Sequence, residues 1–335
     1  MPFSWNTARR PMVALAPMAG VTDGSYRQII KMVAPETIVY TEFLSTDAIS
    51  FGSEKTIKMM EFDPQIERPF IVQVFGSDPK KFIESCKVIE QTGADGIDIN
   101  MGCPAAKIVS SCYGSALLRH PGLAAELVAA AVSAVRIPVS VKTRLGWESP
   151  DELIPFCKGL EAAGAAALAI HGRTYKQKFT GTANWEPIYA LKKELKIPVL
   201  GNGDIGSPED AAKKLRNLDG VMVGRGTYGN PWVMQEIADA LSGAGSGERL
   251  PAGQAGVAGS SDPMQKFQSR IPFILKHCEL SVKHKGERRG VLEMRRHLAG
   301  YVKGFDGAKE LRMKLMALEK LDDVREQLHN AAVSS

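Results

Sequence analysis

The chain has 335 residues, of which 44% are hydrophobic and 24% are charged, and its formal net charge is +5. These proportions indicate a globular protein with a sizeable core and exclude a largely disordered chain. No apolar stretch approaches the roughly 18 residues of a membrane-spanning helix, so we expect a cytoplasmic protein without a membrane partner. The five cysteines show no C-x-x-C pair and no metal-ligand spacing with the histidines, which argues against a disulfide framework and a metal site.

Short apolar or β-branched runs recur eight times before residue 230. Amphipathic segments such as "DPKKFIESCKVIEQTGADG" separate them, opened by Asp or Ser and closed by Gly, as is typical of helices. Eight alternating strands and helices predict an α/β fold, the (β/α)8 or TIM barrel. The G-x-G-x-x-G motif that an open dinucleotide-binding sheet needs after its first strand is absent from "APMAGVTDG". The predicted strands are 12–18, 38–43, 70–76, 96–103, 138–144, 167–173, 198–204 and 220–226.

The repeat predicts a first, catalytic domain over residues 1–241. The glycine-rich segment 242–262 follows no predicted strand and opens no helix, so we interpret it as a flexible linker. Residues 263–335 show apolar positions at three- and four-residue spacing, the pattern of amphipathic helices. They predict a small domain of three or four helices after the barrel.

Positive charge is concentrated in the last part of the chain. Residues 262–335 contain 15 Lys and Arg against 10 Asp and Glu, whereas residues 1–261 contain 27 of each class. Between Lys276 and Lys303 there are eight basic residues and three acidic ones. This surplus fits a solvated helical surface, and it also fits a binding surface for an anionic polymer.

Polar side chains stand at the end of almost every predicted strand. In this fold the carboxyl ends of the strands meet at one mouth, where active sites lie. Each residue alone has a structural explanation, since Asp204 could cap a helix and His171 could be a bonded core histidine. Their coincidence at one end of the barrel favours a site. The residues at the strand ends are Pro17, Met18, Ala19, Glu42, Gln73, Asn100, Cys103, Lys142, Arg144, His171, Arg173, Asn202, Asp204, Gly224 and Arg225.

The last two strands end in "GNGDIG" and "GRGTYGN". Glycines there expose backbone N–H groups, and a phosphate commonly binds at this corner of the barrel. A cation at Lys142 could stabilise a ring that gains electrons, which suits a flavin. A Schiff-base lysine of the aldolase kind is the alternative, but it leaves the thiol of Cys103 unexplained.

Nine motifs now support a family resemblance. Together they look like the tRNA-dihydrouridine synthases, most like the bacterial B-type branch. The likeness is dense over residues 10–235 and returns weakly in "EMRRHLAGYVKGFDGAKELR". The motifs are "LAPMAGVTDGSYR", "YTEFLSTDA", "VQVFGSDP", "DGIDINMGCPAAKI", "GSALLRHP", "VSVKTRLGW", "IHGRTYKQKFTGTANW", "VLGNGDI" and "GVMVGRGTYGNPW".

The resemblance implies an enzyme that uses FMN, reduced by NADPH, to saturate the C5–C6 bond of uridine in tRNA. It places the catalytic acid at Cys103 and contacts with the target base or its ribose phosphate at Asn100 and Arg173. Lys107, retained in the loop after the cysteine, is expected to contact substrate as well. The implied flavin contacts are Pro17, Met18, Ala19, Gln73, Lys142, His171, Asn202, Gly203, Asp204, Gly224 and Arg225.

The implied chemistry suits a thiol. After hydride reaches C6 of uracil, a cysteine with a pKa of about 8.5 is still mostly protonated at neutral pH and can protonate C5. The target base must leave its stack, and phosphate contacts from the basic helical domain can offset that cost. We expect these contacts from Arg288, Arg289, Arg295, Arg296 and Lys303.

One loop departs from the family pattern. After "GCPAAK" the chain reads "IVSSCYGSALL", where the family usually has basic and glycine residues, so Cys112 is a potential competing thiol. Two alternatives stay open: a flavin-dependent dehydrogenase of a free pyrimidine, of the dihydroorotate or dihydropyrimidine type, and a catalytically inert RNA-binding protein. We expect a monomer.

Overall fold

The computed structural model describes residues 2–243 and 262–333. Residues 244–261, which form nearly all of the predicted linker 242–262, lie outside the described residues. The proposed domain bounds, 1–241 and 263–335, therefore stay predictions.

One parallel sheet forms the centre of the molecule. Its strands follow the order β1, β9, β8, β7, β6, β5, β4, β2, and a parallel bridge between Ala14 and Ile38 joins the first strand to the last. The short β3 lies outside this order and pairs with β4. The predicted (β/α)8 barrel is confirmed. The strands are β1 (Met12–Leu15), β2 (Val39–Tyr40), β3 (Leu44–Ser45), β4 (Phe70–Phe75), β5 (Gly96–Met101), β6 (Val139–Arg144), β7 (Ala167–His171), β8 (Val199–Asn202) and β9 (Gly220–Val223).

Seven of the eight predicted strands end earlier than the sequence pattern predicted, while β6 ends at Arg144 as predicted. The N–H groups of Gly102 and Cys103 bond the side chain of Asn100 rather than a neighbouring strand, so the predicted run 96–103 leaves the sheet after Met101. The predicted run 38–43 contributes only the two residues of β2. These residues beyond the strand ends form the loops of the mouth.

Helices cover the outside of the barrel. Asp78 caps α4 and Ser207 caps α9, each followed by a proline in the first turn, as the sequence predicted. Because Ser207 is the cap of α9, the capping interpretation of Asp204 is wrong. The helices are α1 (Gly24–Val33), α2 (Thr46–Ser50), α3 (Glu54–Lys58), α4 (Pro79–Gln91), α5 (Ala106–Val109), α6 (Pro121–Ala134), α7 (Leu153–Ala162), α8 (Glu186–Glu194), α9 (Pro208–Leu215) and α10 (Val233–Leu241).

Side chains that point into the barrel change character along its axis. The lower interior is apolar, with Met12, Ala14, Ile71 and Leu200 among its buried residues. Because side chains alternate across a strand, the next inward positions toward the mouth follow two residues later. Those positions carry polar groups: Gln73 on β4, Asp98 and Asn100 on β5, Ser140 and Lys142 on β6, His171 on β7 and Asn202 on β8.

The chain ends in the predicted helical domain. Its first helix contacts α1 of the barrel. Tyr26 of α1 is fixed within the barrel, because its hydroxyl donates to the Thr227 carbonyl at 2.7 Å. No helix in the described ranges is both long and apolar enough to cross a membrane. The helices are α11 (Pro263–Lys285), α12 (Glu287–Tyr301), α13 (Ala308–Ala317) and α14 (Leu321–Val333).

Candidate active site

A chain of hydrogen bonds crosses the upper interior from β6 to the Cys103 loop. The Ser140 hydroxyl donates to Asp98 Oδ1 at 2.6 Å, and Gln73 Nε2 donates to Asp98 Oδ2 at 2.7 Å. Gln73 Oε1 then accepts from Asn100 Nδ2 at 2.9 Å. Since each amide is bonded through both its nitrogen and its oxygen, the carboxylate of Asp98 orients the whole chain. The chain of hydrogen bonds ends at the Cys103 N–H, which donates to Asn100 Oδ1 at 2.9 Å.

Cys103 is half-buried at the barrel mouth, whereas Cys86, Cys157 and Cys278 are buried in the core. Burial raises the pKa of the Cys103 thiol, while a hydrogen bond from the Ala105 N–H and the cations Arg144 and Lys142 act against the rise. The thiol is therefore protonated at neutral pH. A group in this state can give up a proton but is a poor nucleophile.

Lys142 is the central cation of the site. Its Nζ donates to Asn202 Oδ1 at 3.1 Å, and Asn202 Nδ2 is in turn held by the Met222 carbonyl at 2.7 Å. Burial and the nearby charge of Arg144 lower the pKa of Lys142 to about 8, despite the opposing carboxylate of Asp98. Its two remaining N–H groups have no protein partner in the described part of the chain.

His171 is the last residue of β7 and Arg173 lies two residues later, but the two differ in what they can bind. Burial and the surrounding cations hold the pKa of His171 well below its usual range, so its ring is neutral. Arg173 is only 2% exposed, and its guanidinium forms a bidentate pair with Asp204 at 2.9 and 2.8 Å. Its other N–H groups bond the carbonyls of Thr180 and Gly181 and face His171 Nε2, so all five donors have partners.

The corner after β8 and β9 has the exposed backbone that the glycines predicted. Gly203 and Asp204 both have positive φ, +125° and +50°, which is unusual for an aspartate. The short turn Arg225–Thr227 leaves the N–H groups of Arg225 and Gly226 without partners among the described residues. A methyl group on Gly224 would lie 3.4 Å from the Ala16 side chain and 3.6 Å from Met18 Sδ. The side chains of Ala16 and Met18 therefore line this corner next to Gly224.

The loop after β1 connects the mouth to the helical domain. It carries Pro17, Met18 and Ala19, and the Gly20 N–H that follows donates to the carboxylate of Glu42. The Gly20 carbonyl accepts from Arg296 of α12. Burial raises the pKa of Glu42, and the Gly20 N–H partly offsets that effect.

The basic residues predicted to bind tRNA do not converge on one point. Arg288 pairs with Glu319 at 3.0 Å and Arg289 with Glu293 at 2.7 Å, and both cations are largely exposed. Arg295 donates to the Leu318 carbonyl at 3.2 Å, Arg296 bonds Gly20, and Lys303 is exposed to solvent. The backbone of Lys107 lies in α5, and its side chain lies outside what the structure describes.

Sequence reasoning missed two residues of this site, Asp98 and Phe179, and gave a third, Arg144, no role. Asp98 was overlooked because it is not at a strand end, although its inward position follows from Asn100 two residues later. Arg144 was noted without a role, yet its Nε donates to the Gly102 carbonyl at 2.6 Å, next to Cys103 in the chain. Phe179 lies at the mouth because its loop is held by residues distant in sequence, which no local pattern reveals.

Fold and site together define a (β/α)8-barrel protein with a half-buried thiol, a lysine and a neutral histidine at the mouth. The model of the dihydrouridine synthase (Dus) family matches residues 14–335. The chain therefore belongs to the dihydrouridine synthase family, and the resemblance noted in its motifs is confirmed.

Curated relatives cover nearly the whole chain. The tRNA-dihydrouridine synthase B of Pseudomonas aeruginosa is 38% identical over 311 residues, 92% of this chain and 89% of its own. The probable tRNA-dihydrouridine synthase of Rickettsia bellii is 37% identical over 303 residues, covering 90% and 88% of the two chains. The probable tRNA-dihydrouridine synthase 1 of Synechocystis is 36% identical over 323 residues, covering 95% and 86%.

Proposed function

We propose that this chain reduces uridine in tRNA to dihydrouridine, with FMN as its bound cofactor and NADPH as the reductant. The observation that carries the proposal is the protonated, half-buried Cys103 at the mouth, with Lys142 and a neutral His171 on the adjoining strands. Family membership and the names of the relatives support the same substrate class.

The residues present fit a flavin mononucleotide. The unpartnered N–H groups of Arg225 and Gly226, with the exposed guanidinium of Arg225, suit its phosphate. Lys142 has free donors and a depressed pKa, as expected of a cation that awaits an anionic ligand. When bound, FMN supplies the hydride that adds to C6 of uracil. The further flavin contacts we propose are Pro17, Met18, Ala19, Gln73, His171, Asn202, Gly203, Asp204 and Gly224.

Cys103 has the role of the acid. Hydride addition at C6 leaves negative charge on C5 and O4 of the base, and the thiol donates its proton to C5. The Asn100 amide fixes the backbone of the cysteine through Oδ1, and Nδ2 keeps one hydrogen for a base carbonyl. Lys142 would hold the ring of a bound FMN and place its positive charge beside it.

Arg173 and Lys107 are the remaining residues proposed to act on the substrate, Arg173 through its hydrogen bonds and Lys107 through its position in the chain. All five donors of Arg173 are used inside the protein, so a direct contact with the target nucleotide requires it to leave Asp204 or a loop carbonyl. The geometry favours a supporting role, in which Arg173 holds the loop that faces the substrate. We propose that Lys107 contacts the substrate, because it lies in the loop that follows Cys103.

The test replaces Cys103 with alanine and assays unmodified tRNA with FMN and NADPH. We expect Cys103→Ala to keep its yellow flavin while dihydrouridine formation falls by about 10²- to 10⁴-fold, the usual contribution of a general acid. Cys112→Ala, which removes the second half-buried thiol of the same loop, is the matched control and should keep near-normal turnover.

Three outcomes contradict the proposal. Full activity in Cys103→Ala would show that Cys103 is not the proton donor. Turnover of free uracil or dihydroorotate without turnover of tRNA favours the free-pyrimidine enzyme. A colourless protein that binds tRNA but shows no turnover with added FMN favours the inert RNA-binding protein.

A further inference from the structure

Phe179 exposes a large apolar side chain at the mouth. Its ring is 54% exposed, and Phe51, Ile57 and Met313 are the other large hydrophobic residues exposed in the described ranges. The ring centroid lies 6.3 Å from that of His171, 5.2 Å from Arg144 Cζ and 5.4 Å from Arg225 Cζ. These neighbours end β7 and β6 and follow β9, so the ring stands at the rim of the site.

Buried arginines hold the loop that presents this ring. Arg144 Nη1 donates to the carbonyls of Thr174 and Lys178 at 3.1 and 2.7 Å, and Arg173 bonds the carbonyls of Thr180 and Gly181. Both arginines are 2% exposed. Because these buried side chains fix the loop, the exposed aromatic ring is preorganised for contact with a ligand.

The surroundings of the ring are cationic. Arg225 is 62% exposed, and Lys178, next to Phe179 in the chain, is exposed as well. A second stack extends the rim, where Trp147 and Tyr175 lie 3.8 Å apart. Aromatic faces combined with cations are the means by which proteins bind unpaired nucleotides, because every base has a face to stack and every nucleotide a phosphate.

The ring stands at the rim beside the proposed cofactor site, with which it shares the neighbours His171 and Arg225. Lys142 and Asn202, which would hold the flavin, lie inside the barrel. The reacting base must lie against Cys103 at the end of β5, whereas the neighbours of Phe179 belong to β6, β7 and β9. A base stacked on Phe179 is therefore beside the target base.

We infer that Phe179 is the stacking platform for an unpaired nucleobase adjacent to the reacting uridine in the RNA chain. The inference rests on the proposed function and extends it to the neighbouring nucleotide. Stacking on Phe179, with the exposed cation Lys178 near the phosphate of the same nucleotide, holds the RNA strand in its distorted path once the target base has left its stack. Phe179 is thus a substrate-positioning residue and takes no part in the chemical step.

The experiment compares Phe179→Ala, Phe179→Leu and Phe179→Trp in the flavin-loaded enzyme with unmodified tRNA. Loss of one base–aromatic stack weakens binding by about tenfold. We expect KM and the Kd from fluorescence anisotropy to rise about tenfold in Phe179→Ala and Phe179→Leu, with kcat and flavin content within about twofold. Phe179→Trp, which restores an aromatic face, should return both constants close to wild type.

Phe51→Ala is the matched control, because Phe51 is also an exposed ring beside a cation, 4.7 Å from Lys81, and touches none of the cations around Phe179. The inference is overturned if Phe179→Ala leaves KM and Kd within twofold of wild type, or if Phe179→Leu performs as well as Phe179→Trp. A parallel loss of flavin also overturns it, since the ring then belongs to the cofactor site. Should the wild-type enzyme form no dihydrouridine, the proposed function fails, while the Kd values still decide the role of Phe179.

Discussion

Among single residues, Lys142 shows most clearly what the barrel interior is built to receive. Its ammonium group lies in the upper interior with one neutral partner, Asn202, and burial lowers its pKa to about 8. A buried cation without a paired anion is unfavourable unless a ligand compensates it. A ligand that accepts hydrogen bonds from this ammonium group would therefore stabilise its charged form.

This property makes flavin binding dependent on pH. Lys142 is charged below a pH of about 8 in the free protein and neutral above it, and hydrogen-bond acceptors on a bound flavin ring favour the charged form, which has three donors. We expect the affinity of the apoprotein for FMN to fall as pH rises from 7 to 9.5, measured by quenching of flavin fluorescence. Lys142→Met should bind FMN more weakly at pH 7 and lose the dependence centred near 8. An identical pH profile in both proteins would rule out Lys142 as the titrating group.

The sequence predicted the polar residues at the strand ends but not their partners. Cys103, Lys142 and His171 were found because the barrel pattern brings strand ends together. The groups that bond the Arg173 guanidinium include Thr180, Gly181 and Asp204, in two different loops, and only Asp204 neutralises its charge. Loop conformation does not follow from strand periodicity. Asp98 could have been found by counting two residues back from Asn100 along β5.

At the scale of elements, a backbone contact joins the barrel to α12. Gly229, in the loop between β9 and α10, has a φ of +63°, and a Cβ there would lie only 2.0 Å from the carbonyl carbon of Gly300. The helix can approach this closely because neither residue has a side chain. The contact fixes α12 against the loop after β9.

A substitution at Gly229 should therefore be far more damaging than the same change at an open turn. We expect Gly229→Ala to lower the free energy of unfolding by about 2–5 kcal/mol, from backbone strain and overpacking together. The control is Gly52→Ala, where φ is +71° and no atom lies within 4 Å of the added methyl. Its loss should be about 1–2 kcal/mol, the strain alone. If chemical denaturation showed the same loss of unfolding free energy in Gly229→Ala and Gly52→Ala, overpacking against Gly300 would be excluded as a cause.

Element positions were predictable to different degrees. Strand starts were accurate, because apolar runs begin where burial begins. Strand ends were placed too late, since residues such as Gly102 and Cys103 continue the apolar pattern while their N–H groups bond a side chain instead of a strand. The contact between Gly229 and Gly300 joins positions 71 residues apart in number and leaves no local trace in the sequence.

For the molecule as a whole, the interface between barrel and helical domain is a cluster of rings. Tyr26 of α1 lies 5.5 Å from His277 of α11 and 4.9 Å from His297 of α12, between ring centroids. Burial holds the pKa of His277 well below its ordinary value, so this joint is uncharged at neutral pH. Beside it, Lys285 bonds both Asp23 of the barrel and Glu293 of α12.

The basic face of α12 gives a prediction about RNA binding. Removing one cation that neutralises a phosphate should reduce the slope of log K against log salt by about 0.7–0.9. We expect the double variant Arg288→Gln, Arg289→Gln to weaken tRNA binding and to lower this slope by the equivalent of one to two phosphates, with unchanged flavin content. Lys158→Gln, which removes another exposed and paired cation from the outer face of the barrel, should leave the slope unaltered. An unchanged slope in the double variant would exclude these arginines.

Composition predicted that this surface is basic, but not how its charges are arranged. A count of residues between Lys276 and Lys303 shows eight cations and three anions. It does not show that Arg288 reaches Glu319 or that Arg296 turns back to the Gly20 carbonyl. Glu319 lies outside that segment and neutralises Arg288, so the net positive charge is smaller than the count suggests, whereas the Gly20 carbonyl only fixes the position of Arg296.

The ring cluster at Tyr26 and the glycine contact at Gly229 leave the helices little freedom to swing against the barrel. An RNA bound by α12, as we predict, would then present its surface to Cys103 in one orientation. The position of the uridine on that bound surface, rather than the base sequence around it, would then select the base that is modified.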